Sequence, residues 1–537
     1  MKNNSKGLTL IALIVSVVIL IILASITIST IRDNGTIKNT IKAKESSEIA
    51  DEKEIVSRAT VNSSAKNKYG KLEKEELQGQ LDSETEAGKT TVIDAGNEFE
   101  IIFNETNRIY TVSKKGQITG SKEIIKDLCP GDITKGKDGE TLDGSKEHPF
   151  EIWCIEDLVS FSNMVNGSGI MIKDGQPVQV THREYFIDQY VQLKQDLNFK
   201  SKMSYENSER TDFGNLNGIS GDSNTLINEM TTGTGFTPIG AKEDNDASFW
   251  GNFEGNNKKI QEIYINKEGI AGLFGMLSQG IIKNLEVSGN VTATGEESVA
   301  GGIVAQGIIN SQNSKIENCI SKVNVNAVNA GGIIGHKKSS PKGLTISNCI
   351  NCGNVNGERS GGGIAGIAYT STNIINCSNS GKISGGDTFA MSGIGGIVGT
   401  GMFTTSIINS YNTGNITAVK NVGGILGWVY WSETHIENCY NIGSTTGTIN
   451  GGILGGSNIN NELFVTKNVF YSQEKTAKSI GQGISESEED IIATTIQDLQ
   501  SNETLNKLNK YVTDNPQKEE TELKQWKKGE SGYLEFK

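Results

Sequence analysis

Hydrophobic and polar positions change their rhythm several times along the chain. From Leu8 to Ile31 no charged residue interrupts the run "LTLIALIVSVVILIILASITISTI", which at helical rise spans roughly 36 Å, enough to cross a bilayer. Lys2 and Lys6 precede it, whereas Arg32 is followed at once by Asp33. That asymmetry predicts a cytoplasmic amino terminus and an extracellular chain beyond residue 31. Ile37, Ile41, Ile49, Ile55 and Val56 then recur loosely at helical spacing among Lys and Glu, predicting a helical stalk with a weak apolar stripe. From Asn97, "EFEIIFNETNRIYTVSKKGQITG" alternates apolar and polar residues around a turn-rich centre, the pattern of a hairpin or small meander.

The longest pattern begins at Gly272. Gly-rich segments recur as "GLFG", "GGIV", "GGIIG", "GGIAG", "GGIVG", "GGILG" and "GGILG". Between them "IKNL", "IENC", "ISNC", "IINC", "IINS" and "IENC" recur, with "TKNV" after the last. Their asparagines are Asn284, Asn318, Asn348, Asn376, Asn409, Asn438 and Asn468, a period of roughly 30 residues that belongs to a solenoid coil. The predicted fold is mainly β: a right-handed parallel β-helix, its hand following the chirality of parallel crossovers. Stacked Ile would fill the interior, stacked Asn would exchange amide hydrogen bonds, and Gly pairs would permit bends that a Cβ obstructs.

This alignment also explains the Cys-x-x-Cys of "ISNCINCGNVNG". Cys349 shares its repeat position with Leu285, Cys319, Cys377, Ser410, Cys439 and Val469, whereas Cys352 aligns with Lys322, Ser380, Thr413 and Ile442. Residues i and i+3 of a strand point to opposite faces, so the pair does not converge on a metal: Cys349 is predicted core and Cys352 surface. Seven cysteines in a long chain are no disulfide framework; a Cys129–Cys154 pairing stays open. The net charge of −13 with no basic tract excludes sequence-independent nucleic-acid binding. No cofactor or metal is expected.

"KGLTLIALIV" resembles the class III prepilin signal of type IV pilins and type II secretion pseudopilins. The resemblance implies cleavage between Gly7 and Leu8 by a prepilin peptidase and methylation of Leu8 as the new amino terminus. Ala12 stands where that family usually carries a Glu. A plain uncleaved anchor is the alternative. The repeats resemble the GLUG motif of large bacterial surface proteins over about two hundred residues. "HPFEIWCIEDLVSFSNMVN", "YFIDQYVQLKQDLNF" and "GFTPIGAKEDNDASFWGNFEGNNKKIQEIYI" are similar to the region preceding such repeats, which implies a β-helix starting near Pro149 with an inserted loop from Ser201 to Thr234. "IQDLQS", "LNKLNKYVTDNP" and "QWKKGESGYLEF" resemble the same proteins' tails and imply a small α+β cap covering the last edge.

The expected division is 1–31 leader and membrane helix, 32–128 stalk and hairpin region, 129–148 linker, 149–271 opening of the β-helix, 272–473 repeats and 474–537 cap. Three functions follow from it. A non-catalytic, membrane-anchored surface rod would bind extracellular glycan or protein, with Trp428, Tyr430 and Trp431 of "GWVYWSE" as the candidate surface. A pilin-like structural component of a pilus or secretion assembly is the second. A polysaccharide-active β-helix enzyme is the third, but such chemistry typically needs converging carboxylates. Asp387 is the only Asp from Glu262 to Gln473, His336 and His435 lie in different coils, and no H-E-x-x-H occurs. Asp222 and Glu243 to Asp246 are the only remaining acidic loop candidates, and the protein is expected not to be an enzyme.

Overall fold

The computed structural model describes residues 35–66, 71–103, 108–123, 131–136, 140–173, 176–184, 186–199, 232–241, 248–308, 313–338, 342–386, 392–431, 433–459, 461–484 and 490–537. The expected membrane helix with Gly7, Leu8 and Ala12, Cys129, most of the inserted loop with Asp222, and Glu243 to Asp246 lie outside the described residues. Among the described residues no helix is long and apolar enough to cross a membrane. The chain divides into two units, Met1–Lys126 and Asp127–Lys537.

In the first unit a long helix α1 (Gly35–Lys66) and a shorter α2 (Lys74–Thr85) accompany four antiparallel strands in the order β1 (Thr90–Asp94), β2 (Glu98–Phe103), β3 (Arg108–Ser113) and β4 (Ile118–Glu123). An isolated hairpin is marginal in water. Here the sheet gains a partner surface, because Val56 and Ala59 of α1 and Leu77 and Leu81 of α2 share one core with Val92, Phe99, Ile101 and Tyr110. Arg108 pairs with Glu52 at 3.1 Å, and the Tyr110 hydroxyl donates to the same Glu52 carboxylate at 2.9 Å.

The second unit is a parallel β-solenoid of about seven turns. One of its faces is an eight-stranded parallel sheet running from Phe274–Leu277 through Ile334–Lys337 and Leu426–Tyr430 to Ile480–Gln482. Like residues stack: Ile316, Ile346, Ile374, Ile407 and Ile436 are paired rung to rung and fully buried. Cys319, Cys349, Cys377 and Cys439 fill the neighbouring interior slot with no exposed area, while Cys352 is exposed. Cys154 is also a free thiol.

Each repeat Asn makes the corner. Asn284, Asn318, Asn348, Asn376, Asn409, Asn438 and Asn468 all have φ between +49° and +56°, a left-handed conformation that Asn tolerates better than most residues. Asn376 donates to Asn348 at 2.9 Å, Asn409 to Asn376 at 2.7 Å and Asn438 to Asn409 at 2.6 Å. A second ladder runs through the interior in the opposite sense, Asn351 to Asn379, Asn379 to Asn412 and Asn412 to Asn441, at 2.7 to 2.8 Å. It crosses the Gly pairs. A Cβ on Gly331 would stand 1.8 Å from the Ile334 carbonyl, and one on Gly332 would stand 2.1 Å from the Gly363 carbonyl of the next coil.

Two parts depart from the sequence expectation. The segment expected as a linker is packed, since Ile133 and Leu142 are buried in the solenoid core. Asp157 secures it by accepting from the Gly131 backbone N–H at 2.7 Å while capping helix α3 (Ile155–Asn166). The tail, expected to cover the last rung, does so only through Ile480–Gln482 and Ile491–Thr494, and from there on it lies along the flank. Helix α4 (Asn502–Asp514) and two short hairpins place Leu508, Tyr511, Trp526 and Leu534 against Ile375, Ile408, Tyr440 and Phe470 of successive coils. The physical reason is that these coils carry large apolar side chains on their outer face, a larger surface to bury than one terminal rung. The strand Ile491–Thr494 pairs with Val469–Ser472.

Candidate functional site

The outer face of the eight-stranded sheet carries one side chain per rung at each register position. One row is Met276, Gln306, His336, Ile367, Thr400, Trp428 and Gly456. Trp428 is only 5% exposed. Its ring lies over Gly456, the glycine one rung on, where an added Cβ would be 2.6 Å from the ring. Trp428 is thereby removed from the candidate binding surface. Its indole N–H is buried without a hydrogen-bond partner.

Tyr430 and Trp431 do reach the surface, and they do not stand alone. Register pairs Tyr369 with Met402 and Met402 with Tyr430, so the residues just beyond, Phe403 and Trp431, occupy the same corner of consecutive coils. The ring centroids of Tyr369 and Phe403 lie 4.9 Å apart, those of Phe403 and Trp431 6.2 Å, and those of Tyr430 and Trp431 3.9 Å. Phe403 is 37% and Trp431 60% exposed. Both hold positive φ, +60° and +52°. Bulky residues rarely adopt that conformation, and it costs on the order of 1–2 kcal/mol each. Two strained, exposed aromatic residues on one corner form a ridge along the rod.

Sequence reading missed Tyr369 and Phe403. They belong to different repeats, "GIAYTS" and "TGMFTT", and only the rung register brings them beside "VYW". A signal was present, since the three stretches align when counted from the preceding Gly pairs.

Further towards the amino terminus, the same outer face opens into a cleft of about 460 Å3. One wall is the row Gln306, His336 and Ile367, the other the row Ile270, Val299 and Asn329, whose members are rung partners. Glu297, Lys338 and Arg359 stand at its edge. Burial, with Lys338 and Lys337 adding repulsion, holds the His336 imidazole down to about 4, so it is neutral at pH 7. Among the described residues Glu297 is the one carboxylate lining this cleft. His435 lies apart, 3.2 Å from Glu433.

The interior offers a different environment. Burial pushes the Cys349 and Cys377 thiols well up, and their stacked neighbours add to it; a thiol held protonated is a poor nucleophile and a poor ligand. Among the described residues no three His, Cys, Asp or Glu side chains are grouped to hold a metal ion.

No family model and no curated protein matches the chain. Among solved structures it is similar to a crystal structure reported as a "putative immunoglobulin A1 protease" from Bacteroides ovatus, at 18% identity over 74% of this chain and 94% of that one, with a TM-score of 0.43.

Proposed function

We propose that this protein is a non-catalytic cell-surface rod, a right-handed β-helix held to the membrane by its amino-terminal apolar segment, which binds extracellular glycan or protein. The observation that carries this reading is the ridge of Tyr369, Phe403, Tyr430 and Trp431. Aromatic rings in mutual contact, two of them (Phe403 and Trp431) exposed and held at positive φ, supply rigid contact area at little entropic cost on binding. The uncharged run from Leu8 to Ile31 and the lysines before it support a single-pass anchor with a cytoplasmic amino terminus.

The test is binding of full-length protein to an array of extracellular polysaccharides and matrix proteins, comparing wild type with Phe403→Ala. Binding that depends on Phe403 supports the reading; a ligand held equally well by the variant contradicts it.

The "KGLTLIALIV" leader favours a second, compatible reading, in which a prepilin peptidase cuts after Gly7 and the rod joins a pilin-like assembly. Mass spectrometry of membrane and sheared fractions decides it. A methylated Leu8 terminus in sheared polymers supports assembly, and an intact Met1 chain confined to the membrane leaves a solitary anchored rod.

A further inference from the structure

The cleft contains a polar group with an unmet need. Asn329 is 7% exposed, and its side-chain oxygen has no hydrogen-bond partner. A buried acceptor left unpaired is destabilising, and such a group in a native structure marks a place where a donor belongs. Asn329 lines the cleft of about 460 Å3, a volume suited to a small ligand.

Its neighbours restrict that ligand. Lys338 and Arg359 bring two positive charges to the lining and Glu297 one negative, with His336 neutral. Among the described lining residues the balance is positive, on a chain whose net charge is −13, so the cleft favours an anionic group. A guanidinium has five N–H donors, so Arg359 can keep a protein contact and still meet a carboxylate. Gln306, 5% exposed, adds a second amide to the lining. Ile270, Val299 and Ile367 supply apolar wall.

We propose that this cleft is a subsite for a carboxylate-bearing saccharide. Arg359 and Lys338 meet the carboxylate, the amides of Asn329 and Gln306 meet ring hydroxyls, and the apolar wall meets the C–H face. A hydroxyl donates as well as accepts, which satisfies the orphaned Asn329 oxygen. An acidic peptide fits less well, because its additional carboxylates would face Glu297. The assignment deepens the reading of the rod as a binding surface and rests on it.

The experiment is calorimetric titration of full-length protein with a glucuronate-containing tetrasaccharide and with the same saccharide after reduction of its carboxyls to alcohols. The acidic form is expected to bind about tenfold tighter, as charge-assisted contacts to a carboxylate allow. Lys338→Gln, at an exposed position that leaves the core intact, is expected to reduce that preference about threefold or more, as is Arg359→Gln. Equal affinity for the two forms, or no binding of either at millimolar concentration, overturns the assignment. So does a tetraglutamate peptide that binds as tightly as the acidic saccharide. Phe403→Ala separates this result from the broader reading: loss of the ridge is expected to weaken both saccharides alike and preserve their ratio. A ratio lost while ridge-dependent binding persists overturns the subsite alone.

Discussion

The Trp526 indole donates a hydrogen bond to the Asn409 side-chain oxygen at 2.8 Å, across 117 residues of sequence. The same oxygen accepts from Asn438, and the Asn409 amide donates to Asn376 and to the Lys524 carbonyl. The corner ladder of the solenoid is thus also the seat of the tail.

Asn409→Ala therefore removes more than one bond. It leaves the fully buried Trp526 N–H unpaired and puts Ala at φ +49°. The expected loss is on the order of 2–4 kcal/mol, read as a lower melting temperature, with a red shift of Trp526 fluorescence if the tail detaches before the coils. Trp526→Phe removes the donor and not the left-handed corner, and is expected to cost about half as much.

Two glycines with the same composition effect should behave oppositely. Gly332→Ala drives a Cβ against the Gly363 carbonyl and the Asn351 side chain, at 2.1 and 2.4 Å. Backbone in a stacked rung cannot give way, so the variant is expected to lose about 3 kcal/mol or more, or to fail to fold. At Gly401 the nearest atoms are 3.5 Å away, and Gly401→Ala should stay within about 1 kcal/mol of wild type. Thermal denaturation of the two variants side by side measures the difference.

Lys337 occupies the register slot that holds Leu277 two rungs earlier, with no exposed area. Burial pulls its ammonium down to about 8, while its Nζ donates to the Lys338 carbonyl at 3.1 Å. The unfolded chain, titrating near 10.4, binds the extra proton between these values. Stability should therefore rise as pH is raised from 8 towards 10.5. Lys337→Met should be more stable than wild type at pH 7, by on the order of 1–3 kcal/mol, and should lack this group's contribution to the rise. Denaturant midpoints of both proteins at pH 7 and pH 10 provide the check.

His336 makes a contribution of the same sign at lower pH. Its folded value of about 4 lies below the 6.5 of an unperturbed imidazole, so unfolding takes up a proton in that interval. The stability it contributes is present above pH 6.5 and lost as pH falls towards 4. His336→Gln should show a shallower decline over that range in parallel denaturant titrations.

The repeat was legible in sequence because the solenoid assigns one physical task to each recurring residue. The repeat asparagines turn corners at positive φ, the paired glycines admit the next coil's carbonyl, and Cys349 is interior while Cys352 is exposed. What depends on the exact rung register was not legible. Asn351, Asn379, Asn412 and Asn441 form a buried ladder that the eye passes over in an Asn-rich stretch. Coils of unequal length hide that Tyr369 and Phe403 stand with Tyr430 and Trp431. Trp428 looked like their companion, yet a glycine one rung away buries it. The tail's helix was expected from the resemblance of its segments to other tails, but not the coils it lies against, because that surface is assembled from several repeats.

Trp431→Gly tests most directly whether the aromatic corner is kept for binding and not for stability. Glycine adopts the left-handed corner without penalty and removes a ring that is 60% exposed. Measured together on the full-length protein, the melting temperature is expected to hold or rise, by the equivalent of up to about 1 kcal/mol, while binding to the array-selected ligand falls at least about tenfold. A clear drop in melting temperature with ligand binding unchanged would contradict the account and make the ridge a structural cover of the coil edge.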